Sequence, residues 1–233
     1  MNDKKRIAII PARSGSKGVP DKNLQEINGT SLLARAVQCG LDVDLFDRIF
    51  VSTDSDIYAK EAQKLGVETP WLRPEELASD TALVADAIRH SLKTFAARGE
   101  VFDTLCLLEP SSPLRSVDIV RQTVLAAEAD GRDAAFTVSA VPVSYHPLKQ
   151  FEIDKAGAAR FVISTASANI NRQSLAPTYI RNGLAYAVNT KAFLAHNSIH
   201  GTSAEAIVVD EQVVSIDNPS DFERAEQLLS GKL

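Results

Sequence analysis

The chain has 233 residues, 45% of them hydrophobic and 24% charged, with a formal net charge of −5. That length suits one domain with a full core, and no apolar run approaches the roughly 18 residues needed to span a membrane. The acidic balance, without any basic block, argues against a nucleic-acid surface.

The first residues, Met-Asn-Asp-Lys-Lys-Arg, lead straight into an apolar run from Ile7 to Ile10, so no signal peptide is expected and the expected compartment is the cytoplasm. The run is short enough for a buried strand and empties into a polar loop; the whole stretch reads RIAIIPARSGSKGVPDKN over residues 6–23. Gly15 and Gly18 free the backbone to turn N–H groups toward an anion, while Arg13, Lys17 and Lys22 add positive charge. Neither G-x-x-x-x-G-K-[ST] nor G-x-G-x-x-G is present, so the two common phosphate-binding signatures do not account for the loop. The alternative is an ordinary polar connection from strand to helix.

Leu32, Leu33, Ala36 and Val37 then recur at helical spacing behind a cap at Thr30 or Ser31. Arg48 to Asp54 reads as a second strand with a polar tip, Ser55 to Leu65 as a helix closed by Gly66, and Val67 onward as a third short strand. This β-α-β-α-β rhythm belongs to a parallel sheet, whose ligands collect at the carboxyl ends of its strands. Asp80 reads as the N-cap of a helix with Leu83, Val84, Ala87, Ile88, Leu92 and Phe95 on its apolar face; Arg73 reads as a solvated loop charge. The strand Thr104 to Leu108 runs into EPSSPLR at residues 109–115, where Glu109 can pair with Arg115, and Ser116 caps the next helix. Cys39 in the first helix and Cys106 in this strand read as core residues of a reducing compartment, and no C-x-x-C suggests zinc.

Ala134 to Ala140 is a further strand. Residues 149–163 alternate weakly about a turn at Asp154 to Gly157, which suggests a hairpin, and Asn182-Gly183 taken alone reads as a hairpin turn before an apolar strand. His196 and His200 read as loop residues rather than metal ligands. Val213 to Asp217 reads as a short strand leading into a helix boxed by Ser220 and Glu223, with Asp221 favouring the helix dipole. At the end of that strand Asp217 offers Mg²⁺ a hard oxygen.

The opening loop, RPEELASD at residues 73–80, EPSSPLR at 109–115, His146-Pro-Leu-Lys149, Asn171-Arg172-Gln173, Arg181-Asn182-Gly183 and the Asp217 segment resemble, in order, the motifs of the sugar-acid cytidylyltransferases. These include CMP-sialic acid synthetases, their relatives for legionaminic and pseudaminic acids and, more distantly, CMP-Kdo synthetases. The resemblance covers essentially the whole chain as a single domain, residues 1–233. It implies an α/β fold with a mostly parallel, Rossmann-like sheet of the nucleotide-diphospho-sugar transferase type, and a small protruding β-arm at about residues 142–180 for dimerisation. The implied reaction is Mg²⁺-dependent transfer of CMP from CTP to the anomeric hydroxyl of a 3-deoxy-2-ulosonic, sialic acid-like sugar, releasing pyrophosphate, by a cytoplasmic homodimer.

Residue by residue, the resemblance places Ala12, Arg13, Ser14, Gly15, Lys17, Lys22, Asn23, Arg73 and Asp80 at the nucleotide. Arg73 falls to the cytosine, and Arg13 and Lys17 to the β- and γ-phosphates. Glu109, Ser112, Lys149, Arg172 and Asn182 fall to the sugar acid, with Lys149 and Arg172 on its carboxylate. Asp217 falls to the metal and, with Arg13 and Lys17, to catalysis. Two positions depart from the pattern: Glu109 stands where most sialate enzymes have glutamine, and Ser215 stands at the first carboxylate of a D-x-D. A carboxylate accepts hydrogen bonds but cannot donate them, and one metal carboxylate binds less tightly than two. Two alternatives therefore stay open: the same chemistry on a Kdo- or 8-amino-Kdo-type eight-carbon acid, and a non-catalytic nucleotide-binding relative.

Overall fold

The computed structural model describes residues 4–164 and 172–231. The chain opens with β1 (Arg6–Pro11), a hairpin of β2 (Glu26–Ile27) and β3 (Thr30–Ser31), α1 (Leu32–Val43), β4 (Arg48–Ser52) and α2 (Asp56–Lys64). Then follow α3 (Val84–Ala97), β5 (Thr104–Leu107), α4 (Val117–Ala127), β6 (Ala134–Ala140) and a hairpin of β7 (Phe151–Ile153) and β8 (Ala159–Phe161). It closes with β9 (Tyr179–Asn189), α5 (Thr190–His196), β10 (Ala204–Val208) and α6 (Pro219–Leu229). Six strands form the main sheet in the order β10-β6-β9-β5-β1-β4; β9 is antiparallel to both neighbours and every other pairing is parallel. The expected α/β class and mostly parallel sheet are therefore present. No helix among the described residues is long and apolar enough to cross a membrane.

β1 has no polar face because both its faces are covered. Ile7, Ala8, Ile9 and Ile10 are all 0% exposed. Ala8 and Ile10 pack with Leu33 and Val37 of α1, Tyr58 of α2 and Val124 of α4; Ile7 and Ile9 pack with Ile88, Leu92 and Phe95 of α3 and Phe193 of α5. Each buried isoleucine contributes about 1.5–3 kcal/mol, so the strand that feeds the polar loop is held firmly. As expected, Ser31 caps α1, its Oγ accepting the Ala34 N–H at 3.1 Å, and Ser116 caps α4 through the Ile119 N–H at 3.3 Å. The hairpin about Asp154 also forms: its carboxylate accepts the N–H groups of Ala156 and Ala158 at 2.9 Å, and Phe151 faces Phe161 across the strands at 4.3 Å.

Other expectations are corrected. Val67 starts no strand; it is buried against the α1 and α2 side of the core while its backbone stays irregular. Val213 to Asp217 is irregular as well, because Val214 and Ile216 bury into a small cluster with Ile27, Leu32 and Ala225 rather than into the sheet. The Ile216 N–H bonds the Ser111 carbonyl at 2.8 Å instead of a ladder partner. β10 was not anticipated. Asn182-Gly183 does not turn the chain but forms a bulge within β9, where pairing jumps from Tyr186 opposite Phe136 to Arg181 opposite Val138. α6 is boxed by Asn218 and Asp221, not Ser220 and Glu223; the Asp221 carboxylate accepts the N–H groups of Asp217 and Asn218 at 2.8 and 2.9 Å. α3 begins behind Leu83, leaving Asp80 outside the cap and Leu83 and Val84 exposed.

One ion pair ties the start of β1 to the end of α4. The Glu128 carboxylate accepts Nε and Nη2 of Arg6, each at 2.9 Å, and Oγ1 of Thr104 at 2.8 Å. Burial pushes its carboxyl up, but the hydrogen bonds from Arg6 and Thr104 outweigh this and leave it below the ordinary value. Such a group stabilises the fold above its unfolded pKa, and that stability is lost as pH falls through the folded one. Glu128→Ala is expected to cost about 1–2 kcal/mol at pH 7, and less below about pH 4, in urea unfolding at both pH values. An equal loss at both would exclude the carboxylate charge as its source.

Candidate active site

The loop after β1, the loop after β5 and the segment before α6 meet at the carboxyl end of the sheet and enclose a cleft of about 310 Å³. Arg13, Lys17, Lys22, Asn23, Arg73 and Asp217 all line it. Residues almost 200 positions apart are thus brought onto one wall, and Gly18 is the reason they can be so close. A Cβ at residue 18 would lie 2.4 Å from the Asp217 carbonyl oxygen, so only glycine permits this approach. Lys22 fastens the same junction, its Nζ donating to the Ile216 carbonyl at 2.6 Å and reaching Asp217 Oδ1 at 3.3 Å. Asn23 is buried and donates to the Arg13 carbonyl at 3.2 Å, bracing the loop from within.

Asp80, read from sequence as a helix cap, instead holds the loop cations: Arg13 at 2.8 Å and Lys17 at 2.7 Å. Hydrogen bonds from Lys17 and then Arg13 keep its carboxyl below the ordinary range. Arg73 is not the solvated charge the sequence suggested, since it is 7% exposed. Its guanidinium donates to the Ser52 hydroxyl at 3.1 Å and to the Ser52 carbonyl, and burial pulls its pKa down to about 10 against the opposing pull of Asp54.

Some expected residues stand back from the wall. Ala12 is fully buried and donates its N–H to the Ser52 carbonyl at 2.9 Å, so it anchors the loop rather than meeting a ligand. Ser14 is committed to Asp54, through its N–H at 2.9 Å and its hydroxyl at 2.7 Å. Gly15 faces open space and is not among the described lining residues. Sequence reasoning missed Asp54 as the clamp, although it sits at the polar tip noted after β4. It also missed Ser16, Val84 and Ser111 on the wall; Val84 was hidden because its helical spacing matched the core face.

A second cleft, of about 540 Å³, opens beside the first and is lined by Glu109, Ser139, Arg181, Asn182, Tyr186 and Ser215 among others. The bulge in β9 creates it. Gly183 has φ +77°, and the Asn182 side chain donates to Ser139 Oγ at 3.0 Å while accepting the Leu184 N–H at 3.3 Å. Ser112 is buried behind Gly183. Its Oγ would lie 2.8 Å from a Cβ on residue 183. Arg181, also missed from sequence, places Nη1 at 3.2 Å from Nε2 of His200, whose ring stands edge-on to Phe136 and Tyr186. Burial and the Arg181 charge both lower the His200 pKa. Lys149 lies in a short turn before β7 and is not among the described residues lining either cleft. The Arg172 side chain lies outside the described residues.

Glu109 lines both clefts. The expected ion pair with Arg115 does not form: that buried guanidinium donates to the Glu109 and Leu184 carbonyls, the former at 2.8 Å. Among the described residues no group of three His, Cys, Asp or Glu side chains converges on a point. Of the described residues lining the first cleft, Asp217 is the one with an exposed carboxylate, and Ser215 Oγ stands 3.3 Å from its Oδ2. This donor set suits Mg²⁺, which binds through one or two carboxylates together with the phosphates of a substrate.

Residues 7–232 match the family model described as cytidylyltransferase. The chain is 31% identical over 229 residues to the CMP-N,N'-diacetyllegionaminic acid synthase of Legionella pneumophila, covering 96% of this chain and 95% of that one. It is also 31% identical over 232 residues to an N-acylneuraminate cytidylyltransferase of Escherichia coli, covering 95% of this chain and 51% of that longer protein. The solved CMP:2-keto-3-deoxy-manno-octonic acid synthetase complexed with CTP has a TM-score of 0.72 at 17% identity, covering 98% of this chain and 100% of that one, a likeness of fold. A family match and a 31% identical relative that both span nearly the full length lead to one conclusion: the chain belongs to the cytidylyltransferases.

Proposed function

We propose that the protein transfers CMP from CTP to the anomeric hydroxyl of a 3-deoxy-2-ulosonic, sialic acid-like sugar, releasing pyrophosphate. The observation that carries this reading is the meeting of two clefts at Glu109, one walled by Arg13, Lys17, Lys22 and Asp217 and the other by Arg181 and Asn182. The first suits a triphosphate and the second a small polyhydroxylated anion. Arg13 and Lys17 leave Asp80 for the β- and γ-phosphates, so the triphosphate must outcompete an internal carboxylate for the same cations. Arg73 and Asn23 lie at the cytosine end. Asp217 would hold the Mg²⁺, displacing Lys22 from its carboxylate, and the ion when bound would spread the negative charge that builds on the departing pyrophosphate. Catalysis is then mostly positioning and charge neutralisation.

The dimer belongs to this reading too. Phe151 and Ile153 of the β7–β8 hairpin are 54% and 72% exposed. A two-stranded hairpin that leaves such apolar side chains exposed needs a surface to lie on, and a second copy of the chain fits. Lys149 lies on the segment that would approach the partner, and there it would reach a sugar carboxylate. The cytoplasm, where CTP is available, is the compartment such a reaction needs.

Pyrophosphate release from CTP and Mg²⁺ with a panel of sugar acids tests the reaction; CTP binding without turnover of any acid would overturn it. Lys17→Ala is expected to lower kcat/KM for CTP roughly 10- to 100-fold through one lost charged contact, and unchanged kinetics would remove Lys17 from the phosphates. Asp217→Asn is expected to raise the Mg²⁺ concentration for half-maximal rate while changing stability by less than about 0.5 kcal/mol. A variant that unfolds yet keeps its metal response would make the aspartate structural. Paired Phe151→Asp and Ile153→Asp changes are expected to shift sedimentation from dimer to monomer, and a wild-type monomer would contradict the interface.

A further inference from the structure

Glu109 is the one described residue common to the walls of both clefts. Its backbone is fixed by Arg115, which donates to its carbonyl at 2.8 Å, and by the Ser112 N–H, which reaches the same carbonyl at 3.1 Å. Pro110 and Pro113 stiffen the loop around it. Among the described residues, no hydrogen bond or ion pair engages its carboxylate. One carboxylate oxygen lies 3.4 Å from the point a Cβ on residue 183 would occupy, so Gly183 leaves that side open toward the second cleft. A half-buried carboxylate without a partner is costly to keep unless something brings it a donor.

Resting on the cytidylyltransfer reading above, we propose that Glu109 is the catalytic base that takes the proton from the attacking anomeric hydroxyl. Whatever sugar acid fills the second cleft, the atom that must cross to the nucleotide passes the wall the clefts share. A carboxylate there accepts the O–H hydrogen bond of the sugar and repels the sugar's own carboxylate, which turns toward Arg181. As the new oxygen–phosphorus bond forms at the α-phosphate, the O–H electron pair becomes that bond's pair and the proton moves to Glu109. The bond from the α-phosphorus to the bridging oxygen breaks, pyrophosphate leaves with its electron pair, and Glu109 passes the proton to water.

The neighbours leave no better acceptor. Burial raises the Tyr186 hydroxyl, with Glu109 adding to the effect, so it stays protonated. Asp217 lines only the first cleft and is engaged with Lys22. His200 turns Nε2 to Arg181. Burial also pushes the Glu109 carboxyl up against the lowering influence of Arg115, Arg181 and Lys22, which makes it a stronger proton acceptor than a solvated glutamate.

The test uses N-acetylneuraminate, N,N'-diacetyllegionaminate, pseudaminate and 3-deoxy-manno-octulosonate with CTP and Mg²⁺. With the acid that the wild type turns over, Glu109→Gln is expected to lower kcat roughly 10²- to 10⁴-fold, the usual contribution of a general base, with both KM values and the Mg²⁺ response nearly unchanged. Glu109→Ala is expected to regain activity in proportion to added formate. Near-wild-type kcat in the Gln variant would overturn the assignment; so would a loss that excess Mg²⁺ restores, which would make the carboxylate a metal ligand. Calorimetric CTP binding and thermal unfolding of the Gln variant show that its fold and nucleotide site are intact. If the wild type turns over none of the acids, the cytidylyltransfer reading fails and takes this inference with it. Turnover by the wild type and an equally fast Gln variant defeats the inference alone.

Discussion

At residue 18 there is room for a hydrogen and nothing larger, because the Asp217 carbonyl stands where a side chain would begin. That close approach joins the loop leaving the first strand to the segment entering the last helix. Each partner is held independently: the loop by the buried β1 behind it and by Asp54, the segment by the burial of Val214 and Ile216 and by the Asp221 cap on its N–H groups. The cleft wall is therefore set by two rigid anchors and one steric limit. Lys22 adds a polar tie across the same seam.

The electrostatics follow from this geometry. Among the described residues, five arginines and lysines line the paired clefts, and their engagement differs. Arg73 is sunk among carbonyls and works as a fixed scaffold whose charge is partly spent within the protein. Arg13 and Lys17 are held by an exposed aspartate, a partner that water already weakens, so an incoming polyanion can replace it at modest cost. Arg181 leans on the His200 ring rather than on a carboxylate and so is available to whatever enters the second cleft. Graded engagement of this kind separates residues that shape the site from residues free to bind.

Much of this was legible in the sequence, for a physical reason in each case. β1 declared itself because a strand covered on both faces must be apolar throughout, and Ser31 and Ser116 because a serine before an amphipathic run has a backbone N–H to satisfy. Val67 and Val213 to Ile216 misled because burial outside a ladder demands the same residues as burial within one. Asp80 misled because capping a helix and pairing with an arginine both ask for an exposed carboxylate. Arg73 and Arg181 could not be placed from pattern alone. Whether a guanidinium meets solvent, carbonyls or an imidazole depends on long-range folding, and the second cleft exists only once β9 bulges away from β6.

That bulge separates two duties that strands usually combine. Thr137, itself fully buried, donates its hydroxyl to the Ala185 carbonyl at 3.3 Å and accepts the Ala185 N–H at 3.1 Å, filling in for the interrupted ladder. The ladder with β6 resumes at Arg181 and Ile180 on one side and at Tyr186 on the other, so Asn182 to Leu184 between them take no part in the pairing. Gly183 is locked by its φ of +77° and by Ser112 behind it, but the side chain at residue 182 can change at little expense to the ladder, so the second cleft can be reshaped while the wall of the first stays as it is.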